Sequence, residues 1–189
     1  SYFHTTKLTD EDKSRNKSYQ NQFQRESSRK DFSNIVEYLK SLDITIDTHI
    51  DKISIVNRMS QITQKTNQFN LTTKRYTELE IEEFIQNPKF SLIAISIADN
   101  FGSSGVTGLC IIEYLDNNTA TLDTIALSCR ILGRKIEDAF LDIIIDFLNK
   151  KNIKFVYSSF VKTSKNEQVL KYFDNNCFEL IKSNENKKD

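Results

Sequence analysis

Three strand-like segments followed by a strongly amphipathic helix restrict the possible folds of this chain more than any other feature. The run FSLIAISIADNFGSSGVTGLCIIEYLDNNTATLDTIALSC, residues 90–129, alternates apolar stretches with the turn-rich segments DNFGSSG and LDNN. Short connections of this kind predict a meander of antiparallel strands. Apolar residues then recur over residues 136–148 with the spacing of one helical face, which predicts a helix packed on the sheet.

The segments on either side of this run complete an α/β pattern. Before it, residues 53–62 predict a helix, residues 69–72 a short strand, and Thr77 with Glu80 a capping box. After it, IKFVYSSF, SKNEQVLKYFDNN and CFELIKS predict strand, helix and strand. We therefore expect an α/β fold with a mixed, largely antiparallel sheet that is flanked by helices and preceded by a helical N-terminal segment.

Composition excludes several classes of function. The 26 Lys and Arg residues balance 26 Asp and Glu residues, so net charge gives no attraction to nucleic acid. No stretch approaches the roughly 18 apolar residues that a membrane span requires. The three cysteines lack the spacing of metal ligands or of a disulfide framework. We expect a cytoplasmic protein with no metal, nucleic-acid or membrane partner.

The stretch SCRILGRKIED, residues 128–138, joins the last strand of the meander to the helix. A helix that begins here presents unpaired N–H groups and the positive end of its dipole, and both favour a bound anion. Gly133 lets the backbone approach a ligand closely, and Arg130, Arg134 and Lys135 surround the same point. The alternative is solvated charge around a turn glycine, and spacing alone does not separate the two.

Cys129 is the candidate nucleophile of this stretch. Cysteines beside cations and helix N-termini are the ones that react as thiolates, the form that attacks acyl carbons. The commoner alternative is a small apolar residue at the end of a strand. Asp99 and Asp123 are the acidic candidates for a base, although an isolated Asp is usually a cap or turn residue.

The same stretch resembles the pyrophosphate-binding turn of the GNAT acyltransferase superfamily, Q/R-x-x-G-x-G/A, at Arg130 and Gly133. NEQVLKYFDNNCFEL is similar to the N-x-x-V-x-x-F-Y-x-x-x-G-F segment of that superfamily. The resemblance implies a GNAT-like fold that binds the phosphates of coenzyme A. Lys135, Phe173 and Cys177 replace a small residue, the tyrosine general acid and a glycine. A coenzyme A dependent N-acyltransferase is therefore the weaker alternative.

Longer segments resemble the C-terminal region of FkbH-like proteins, namely LTDEDKSRNKSYQNQFQRE, RMSQITQKTNQFNLTTKRYTELEI, DNFGSSGVTG and SCRILGRKIED. Members of that family join an N-terminal HAD-type half, with a metal-binding aspartate motif, to a GNAT-like half. The family is implicated in moving a glyceryl unit from 1,3-bisphosphoglycerate onto an acyl carrier protein, toward methoxymalonyl-type polyketide extender units. Asp10, Glu11 and Asp12 follow a predicted helix cap, and no D-x-D phosphotransfer motif occurs at the head of this chain. We expect residues 1–64 to be a helical connecting segment from a missing HAD-type domain and residues 65–189 to be a GNAT-like acyltransferase domain.

The resemblance also implies roles for the residues of the turn. Arg130, Gly133, Arg134 and Lys135 would hold the phosphate of a carrier protein's phosphopantetheine or of coenzyme A. Cys129 would form an acyl-enzyme and pass the acyl unit to the pantetheine thiol. The partners implied are an acyl carrier protein and the HAD-type domain.

The segment KTNQFN supplies three amides, those of Asn67, Gln68 and Asn70. They are candidates to bind the glyceryl hydroxyls or the pantetheine amides, because polar sites discriminate by pairing such groups. For two of the three, hydrogen bonds that order a turn or loop are at least as good an explanation.

The competing hypothesis for the whole chain is a noncatalytic module that docks the carrier protein for the HAD-type half. Acyl carrier proteins are usually acidic, and the cations of residues 130–135 would suit one electrostatically.

Overall fold

The protein is described by a computed structural model that covers residues 10–181, with side chains from residue 20 onward. Its helices are α1 (Asp10–Arg29), α2 (Ile35–Ser41), α3 (Val56–Lys65), α4 (Glu78–Gln86), α5 (Ile136–Lys150) and α6 (Tyr172–Asn175). Its strands are β1 (Thr45–Ile50), β2 (Phe69–Asn70), β3 (Phe90–Asp99), β4 (Gly102–Tyr114), β5 (Thr119–Leu127) and β6 (Phe155–Ser158). Within this range no helix has the length and apolarity needed to cross a membrane.

The six strands form one sheet in the order β1-β3-β4-β5-β2, with β6 added beside β5. β4 and β2 run antiparallel to β5, whereas β6 runs parallel to it. β2 and β6 pair with different parts of β5, β6 with its first half and β2 with its end. The sheet is thus mixed and mostly antiparallel, and the α/β fold class predicted from the sequence is confirmed.

Apolar spacing explains how the main elements are buried. Ile136, Phe140, Ile144 and Leu148 are four residues apart on α5 and are all buried. Residues at this spacing lie on one face of a helix, so α5 buries the face that the sequence predicted. Residues 92–95 of β3 are fully buried in an unbroken run, which is typical of an interior strand covered on both faces.

The capping box predicted for α4 is present. Thr77 Oγ1 accepts a hydrogen bond from the backbone N–H of Glu80, and the backbone N–H of Thr77 donates to Glu80 Oε2 at 2.8 Å. The two bonds satisfy N–H groups that have no partner inside the helix. The helix ends at Gln86, two residues before Pro88, as the sequence predicted.

The C-terminal part differs from the prediction. The predicted helix over SKNEQVLKYFDNN is reduced to a 3-10 turn at Glu167–Val169 and the four residues of α6. Residues 177–181 of the predicted strand CFELIKS are not a strand, and residues 182 and 183 lie outside the described range. Cys177 has a left-handed backbone, with φ of 61°, and Phe178 N donates to Phe173 O at 3.0 Å. This bond closes α6 with a turn.

The described chain divides into two compact units. One unit joins the residues up to 47 with residues 96–106, and the other joins residues 48–95 with those from 107 onward. The sequence placed a boundary between residues 64 and 65, and that boundary stays a prediction.

A buried ion pair anchors the first unit. Arg25 donates from Nε to Asp99 Oδ2 at 2.6 Å and from Nη2 to Asp99 Oδ1 at 2.8 Å. The two side chains are 6% and 0% exposed. Arg25 Nη2 also donates to the carbonyl of Gly102. Asp99, one of the two acidic candidates for a base, is therefore a structural partner of a buried guanidinium.

Gly108 on β4 occupies a position in the core of the second unit with no room for a side chain. A Cβ there would lie 2.6 Å from Ile95 Cγ1 and 2.7 Å from Leu127 Cδ2. We expect Gly108→Ala to lower the free energy of unfolding by about 1–3 kcal/mol because of overpacking, as measured by urea denaturation. Leu127→Ala removes the opposing Cδ2 together with the rest of the isopropyl group, so the double variant should lose less than the sum of the two single losses. Additive losses would contradict this packing.

Candidate functional site

The pairing of β2 with β5 brings two parts of the sequence together. Phe69 pairs with Leu127 in antiparallel register. Because antiparallel strands run in opposite directions, residues that precede Phe69 lie beside residues that follow Leu127. Asn67 and Gln68 therefore lie next to residues 128–130. All five residues line one cavity.

The turn between β5 and α5 is held by hydrogen bonds to its backbone. Ser128 N donates to the carbonyl of Thr107 at 2.8 Å. Arg134 is only 8% exposed, and its Nη2 donates to the carbonyl of Arg130 at 2.7 Å. The sequence predicted that Arg134 binds phosphate. The structure places its guanidinium inside the turn, where it stabilises the backbone.

Two residues of this turn have left-handed backbone conformations. The φ angle of Gly133 is 75° and that of Lys135 is 60°. A Cβ on Gly133 would meet no atom within 4 Å, so the φ angle and not the space favours glycine there. Lys135 is the N-cap of α5, and its own side chain does not cap this helix end. The N–H groups of a first turn without such a cap can bind a ligand or water.

A cavity of about 640 Å³, here named the thiol cavity, opens beside Cys129, whose side chain is exposed. Four cationic residues line it, together with two of the predicted amides: Arg58, Lys65, Arg130, Lys165, Asn67 and Gln68. No Asp or Glu belongs to its lining within residues 10–181. The cavity therefore combines a nucleophile, cations and amide donors.

Arg58 shares the thiol cavity with a second guanidinium, that of Arg130. It is partly buried, and its Nη1 donates to Gln61 Oε1 at 3.2 Å. Burial lowers the pKa of Arg58, and the positive charge of Arg130 lowers it further. Like charges that are held close together create a positive potential that attracts anions.

A buried asparagine ties the segment that carries Lys165 to β2. Asn166 Nδ2 donates to the carbonyl of Val161 at 2.9 Å and to the carbonyl of Asn70 at 3.2 Å. Asn166 is fully buried. These two bonds fix the segment beside β2, and Lys165, the preceding residue, reaches the thiol cavity.

The three predicted amides have different positions. Asn67 and Gln68 are exposed and line the thiol cavity, and Asn67 Oδ1 accepts a hydrogen bond from Arg75 Nη2 at 2.6 Å. Asn70 is 2% exposed, and its Nδ2 donates to the carbonyl of Lys74 at 3.1 Å. Asn70 thus orders the loop after β2, which leaves two amides at the cavity.

A second cavity of about 580 Å³, here named the turn cavity, lies on the side of Gly133 and Lys135. Its charged lining residues are Lys135, Lys171, Glu137 and Asp138. Lys135 Nζ lies 3.0 Å from Asp138 Oδ2, and this hydrogen bond raises the pKa of Lys135. Two of the predicted cations are thus separated. Arg130 lines the thiol cavity, whereas Lys135 lines the turn cavity, in which two acidic residues offset two lysines.

Asp123, the other acidic candidate, lies in a bulge of β5 opposite β4. Tyr76 donates from its hydroxyl to Asp123 Oδ2 at 2.6 Å, and Lys74 forms an ion pair with the same carboxylate. Burial and this hydrogen bond raise the pKa of Tyr76. Asp123 does not line the thiol cavity. Within residues 10–181 no group of three His, Cys, Asp or Glu side chains could hold a metal ion.

The tyrosine beside Phe173 does not supply an acid either. Tyr172 is buried, and its hydroxyl donates to the carbonyl of Glu137 at 2.8 Å. Burial raises the pKa of Tyr172, and nearby carboxylates such as Asp138 add to the effect. A phenol held in this way keeps its proton near neutral pH, so its role is to pack α6 against α5.

Sequence reasoning missed Arg58, Lys65 and Lys165. The first two had a signal, because Arg58, Gln61 and Lys65 are three and four residues apart and so lie on one face of the helix that leads into Asn67. No sequence pattern indicated Lys165, because its position at the cavity depends on the hydrogen bonds that Asn166 makes with Asn70 and Val161.

No family model and no curated protein sequence matches this chain. Solved structures do match. The ribosomal-protein-alanine N-acetyltransferase from Brucella melitensis biovar Abortus 2308 has a TM-score of 0.55 and 12% identity, over 74% of this chain and 96% of that one. The ribosomal-protein-S18-alanine N-acetyltransferase from Escherichia coli has a TM-score of 0.53 and 18% identity, over 72% of this chain and 77% of that one.

A third similar structure is the aminoglycoside N-acetyltransferase AAC(6')-Iy in complex with CoA. Its TM-score is 0.55 at 10% identity, over 74% of this chain and 91% of that one. Identities this low show similarity of fold. The GNAT-like fold expected from the sequence is confirmed.

The cysteines should differ in their reaction with iodoacetamide. Cys129 and Cys177 are exposed, whereas Cys110 is fully buried, and burial raises its pKa. We expect mass spectrometry of the native protein to show two modified cysteines and a third only after unfolding. The variant Cys177→Ser should keep a single reactive thiol in the native state. Protection of Cys129 in that variant would contradict its exposed position.

Proposed function

We propose that this chain is an acyltransferase that carries an acyl unit on Cys129 and passes it to a phosphopantetheine thiol. The observation that carries the proposal is the exposed thiol in a cavity that also holds four cations and two amides. Thiolates attack acyl carbons, and fixed cations stabilise the negative charge that develops on the acyl oxygen and the leaving group. The fold supports the proposal, since the similar structures named above are acetyltransferases.

The reaction consists of two exchanges at one acyl carbon. In the first, the thiolate of Cys129 forms a bond to the acyl carbon of an acyl phosphate, and the carbon–oxygen bond to phosphate breaks, so that phosphate leaves with the electron pair. In the second, the pantetheine thiolate attacks the thioester and Cys129 leaves as a thiolate. A thioester is exchanged for a thioester, so the second step is nearly isoenergetic.

The turn cavity is the proposed place for the phosphate of the phosphopantetheine arm. The uncapped first turn of α5 offers backbone N–H groups there, and Gly133 lets a phosphate approach them. AAC(6')-Iy, which shares the fold, is in complex with CoA. Coenzyme A is therefore the alternative form of the acceptor. The carboxylate of Asp138, 3.0 Å from the ammonium group of Lys135, partly offsets the positive charge of that group.

The resemblance to FkbH-like proteins supports a narrower form of the proposal. The acyl unit is then the 3-phosphoglyceryl unit of 1,3-bisphosphoglycerate, which becomes a glyceryl unit once water hydrolyses its C3 phosphate, and the acceptor is an acyl carrier protein in the cytoplasm. A HAD-type domain is the proposed partner in methoxymalonyl-type biosynthesis. Asn67 and Gln68 would bind the glyceryl hydroxyls, and their position in the lining of the cavity that contains Cys129 supports this role.

A noncatalytic docking module is the second candidate. The cations of the thiol cavity that favour a phosphorylated donor would also attract an acidic carrier protein. The two candidates differ at one residue, because docking needs no thiol at position 129.

Intact-protein mass spectrometry distinguishes them. The chain is mixed with 1,3-bisphosphoglycerate and then chased with phosphopantetheinylated carrier protein. We expect an adduct of the size of a 3-phosphoglyceryl unit that passes to the carrier, because the exchange releases the C1 phosphate and leaves the C3 phosphate on the acyl unit. Cys129→Ala should form no adduct and should load the carrier at least about 100-fold more slowly, because it lacks the nucleophile.

Cys177→Ser is the matched control, since Cys177 is also exposed but lies outside the thiol cavity. It should form the adduct at the wild-type rate. Carrier loading by Cys129→Ala at the wild-type rate would overturn the covalent relay. Carrier binding without any loading would favour the docking module.

A further inference from the structure

We propose that β6 is the contact strand of a homodimer, in which the β6 edges of two copies of this chain pair antiparallel and join the two sheets. β6 (Phe155–Ser158) pairs in parallel with β5 and with no other strand of the described chain. None of its four residues lines the thiol cavity or the turn cavity. The inference therefore concerns a separate surface of the protein and does not depend on the proposed function.

The outer edge of β6 carries backbone groups that β5 does not use. Phe155 N donates to the carbonyl of Asn118 at 3.0 Å, so the backbone groups of Phe155 point toward β5, as do those of Tyr157 two residues later. The residues between them point the opposite way, because backbone groups alternate along a strand. The N–H and C=O groups of Val156 and Ser158 therefore point away from β5, toward the open edge.

The side chains at this edge are apolar and exposed. Phe155 is 59% exposed and Tyr157 is 42% exposed. Two residues apart on a strand, they lie on the same face of the sheet. Proteins usually protect an exposed edge with charged residues, proline or a bulge, and the sequence of β6, FVYS, contains no charge and no proline. An edge of this kind is suited to pairing with a further strand.

A second copy of β6 fits this edge by symmetry. In an antiparallel pair centred on Tyr157, Val156 of each copy faces Ser158 of the other, so each free N–H meets a free C=O. The Tyr157 rings of the two copies then form a cross-strand aromatic pair. A pair centred on Val156 would leave the carbonyl of Ser158 without a donor, because Lys154 N already donates to Asn118 O at 2.7 Å.

Charge also favours a second copy in the antiparallel direction. Lys154 is the charged residue next to β6 in the sequence. In the pair centred on Tyr157 the two Lys154 residues lie at opposite ends, about 20 Å apart at about 3.4 Å per residue. This separation exceeds the Debye length of about 8 Å at physiological ionic strength. A charged peptide, in contrast, finds no complementary charge on β6, and the chain as a whole has no net charge that would repel a second copy.

Sedimentation velocity tests the dimer. Two short edges bury less than the roughly 1,600 Å² of a standard interface, so the association should be weak and should depend on concentration. We expect the mean mass to rise from 22.0 kDa toward twice that value as the protein is concentrated. A mass of 22.0 kDa at every concentration from about 1 μM to 1 mM would overturn the proposal.

A charge at the centre of the pair should weaken the dimer. Tyr157→Lys should raise the dimer Kd at least about tenfold, because it removes the aromatic pair and places like charges directly opposite each other. Leu79→Lys is the matched control, since Leu79 is another exposed apolar residue and lies on α4. It should leave the Kd unchanged. Urea denaturation shows whether both variants keep the fold. An equal loss in both, or the wild-type Kd in Tyr157→Lys, would overturn the interface.

Amide hydrogen exchange measured by NMR tests which backbone groups take part. Val156 and Ser158 should exchange rapidly in dilute solution and more slowly as concentration rises. The amides of Phe155 and Tyr157 should be protected at both concentrations, because they point to β5. Protection of Val156 and Ser158 in dilute solution would mean that another segment of the same chain covers the edge, and would overturn the proposal. So would a dimer in which these two amides stay unprotected.

A cysteine cross-link tests the register. Tyr157→Cys, in a background with Cys129→Ser and Cys177→Ser that removes the two exposed native thiols, should form a disulfide between two copies. Residues directly opposite in a non-hydrogen-bonded antiparallel pair have Cα atoms about 4.5 Å apart, within the range for a disulfide. Phe155→Cys in the same background is the control and should cross-link far more slowly. Faster cross-linking of Phe155→Cys would overturn the pairing centred on Tyr157.

Discussion

The antiparallel pairing of β2 with β5 is the constraint on which the candidate site depends. Only two residues of β2 take part, yet the pairing of Phe69 with Leu127 fixes which residues meet beyond the ends of both strands. A shift of one residue would turn every side chain of β2 to the other face of the sheet. Asn67 and Gln68 lie beside Cys129 because of this register. The bonds from Asn166 to β2 then add Lys165 to the same place.

The turn after β5 separates two chemically different cavities. Arg134 closes the turn from inside, so that its neighbours Arg130 and Lys135 line different cavities. The thiol cavity is lined by four cationic residues and by no Asp or Glu of the described residues. The turn cavity is lined by two lysines and two acidic residues, and it lies at the start of α5, where the side chain of Lys135 does not cap the backbone N–H groups. In the proposed function, each of the two phosphorylated reactants would have its own anchor on one side of this turn. The local concentration of cations would also let a chain with no net charge attract an anion.

The fold was predictable from the sequence because its signals are local. Alternation along the strands, the spacing on α5 and the capping box of Thr77 each lie within a few residues, and the structure confirms them. The prediction of a strand from Cys177 onward was wrong because the left-handed backbone at Cys177 closes α6 with a turn. The site was predictable only in part. Asn67 and Asn70 are three residues apart and have the same side chain, yet Asn67 lines the thiol cavity and Asn70 is buried. The strand register and the hydrogen bonds of the following loop decide this difference.

The central claim is that the thiol and the cations face one ligand. The most direct test is the rate of alkylation of Cys129 by iodoacetamide in Cys177→Ser, with and without D-3-phosphoglycerate, a probe that keeps the C3 phosphate of the proposed donor but has no acyl phosphate. A ligand held by the cations of the thiol cavity would block access to the neighbouring sulfur, so the account predicts that alkylation slows in proportion to the occupied fraction. It also predicts that Lys65→Gln needs more ligand for the same protection. Alkylation at an unchanged rate when the ligand is bound would contradict the claim.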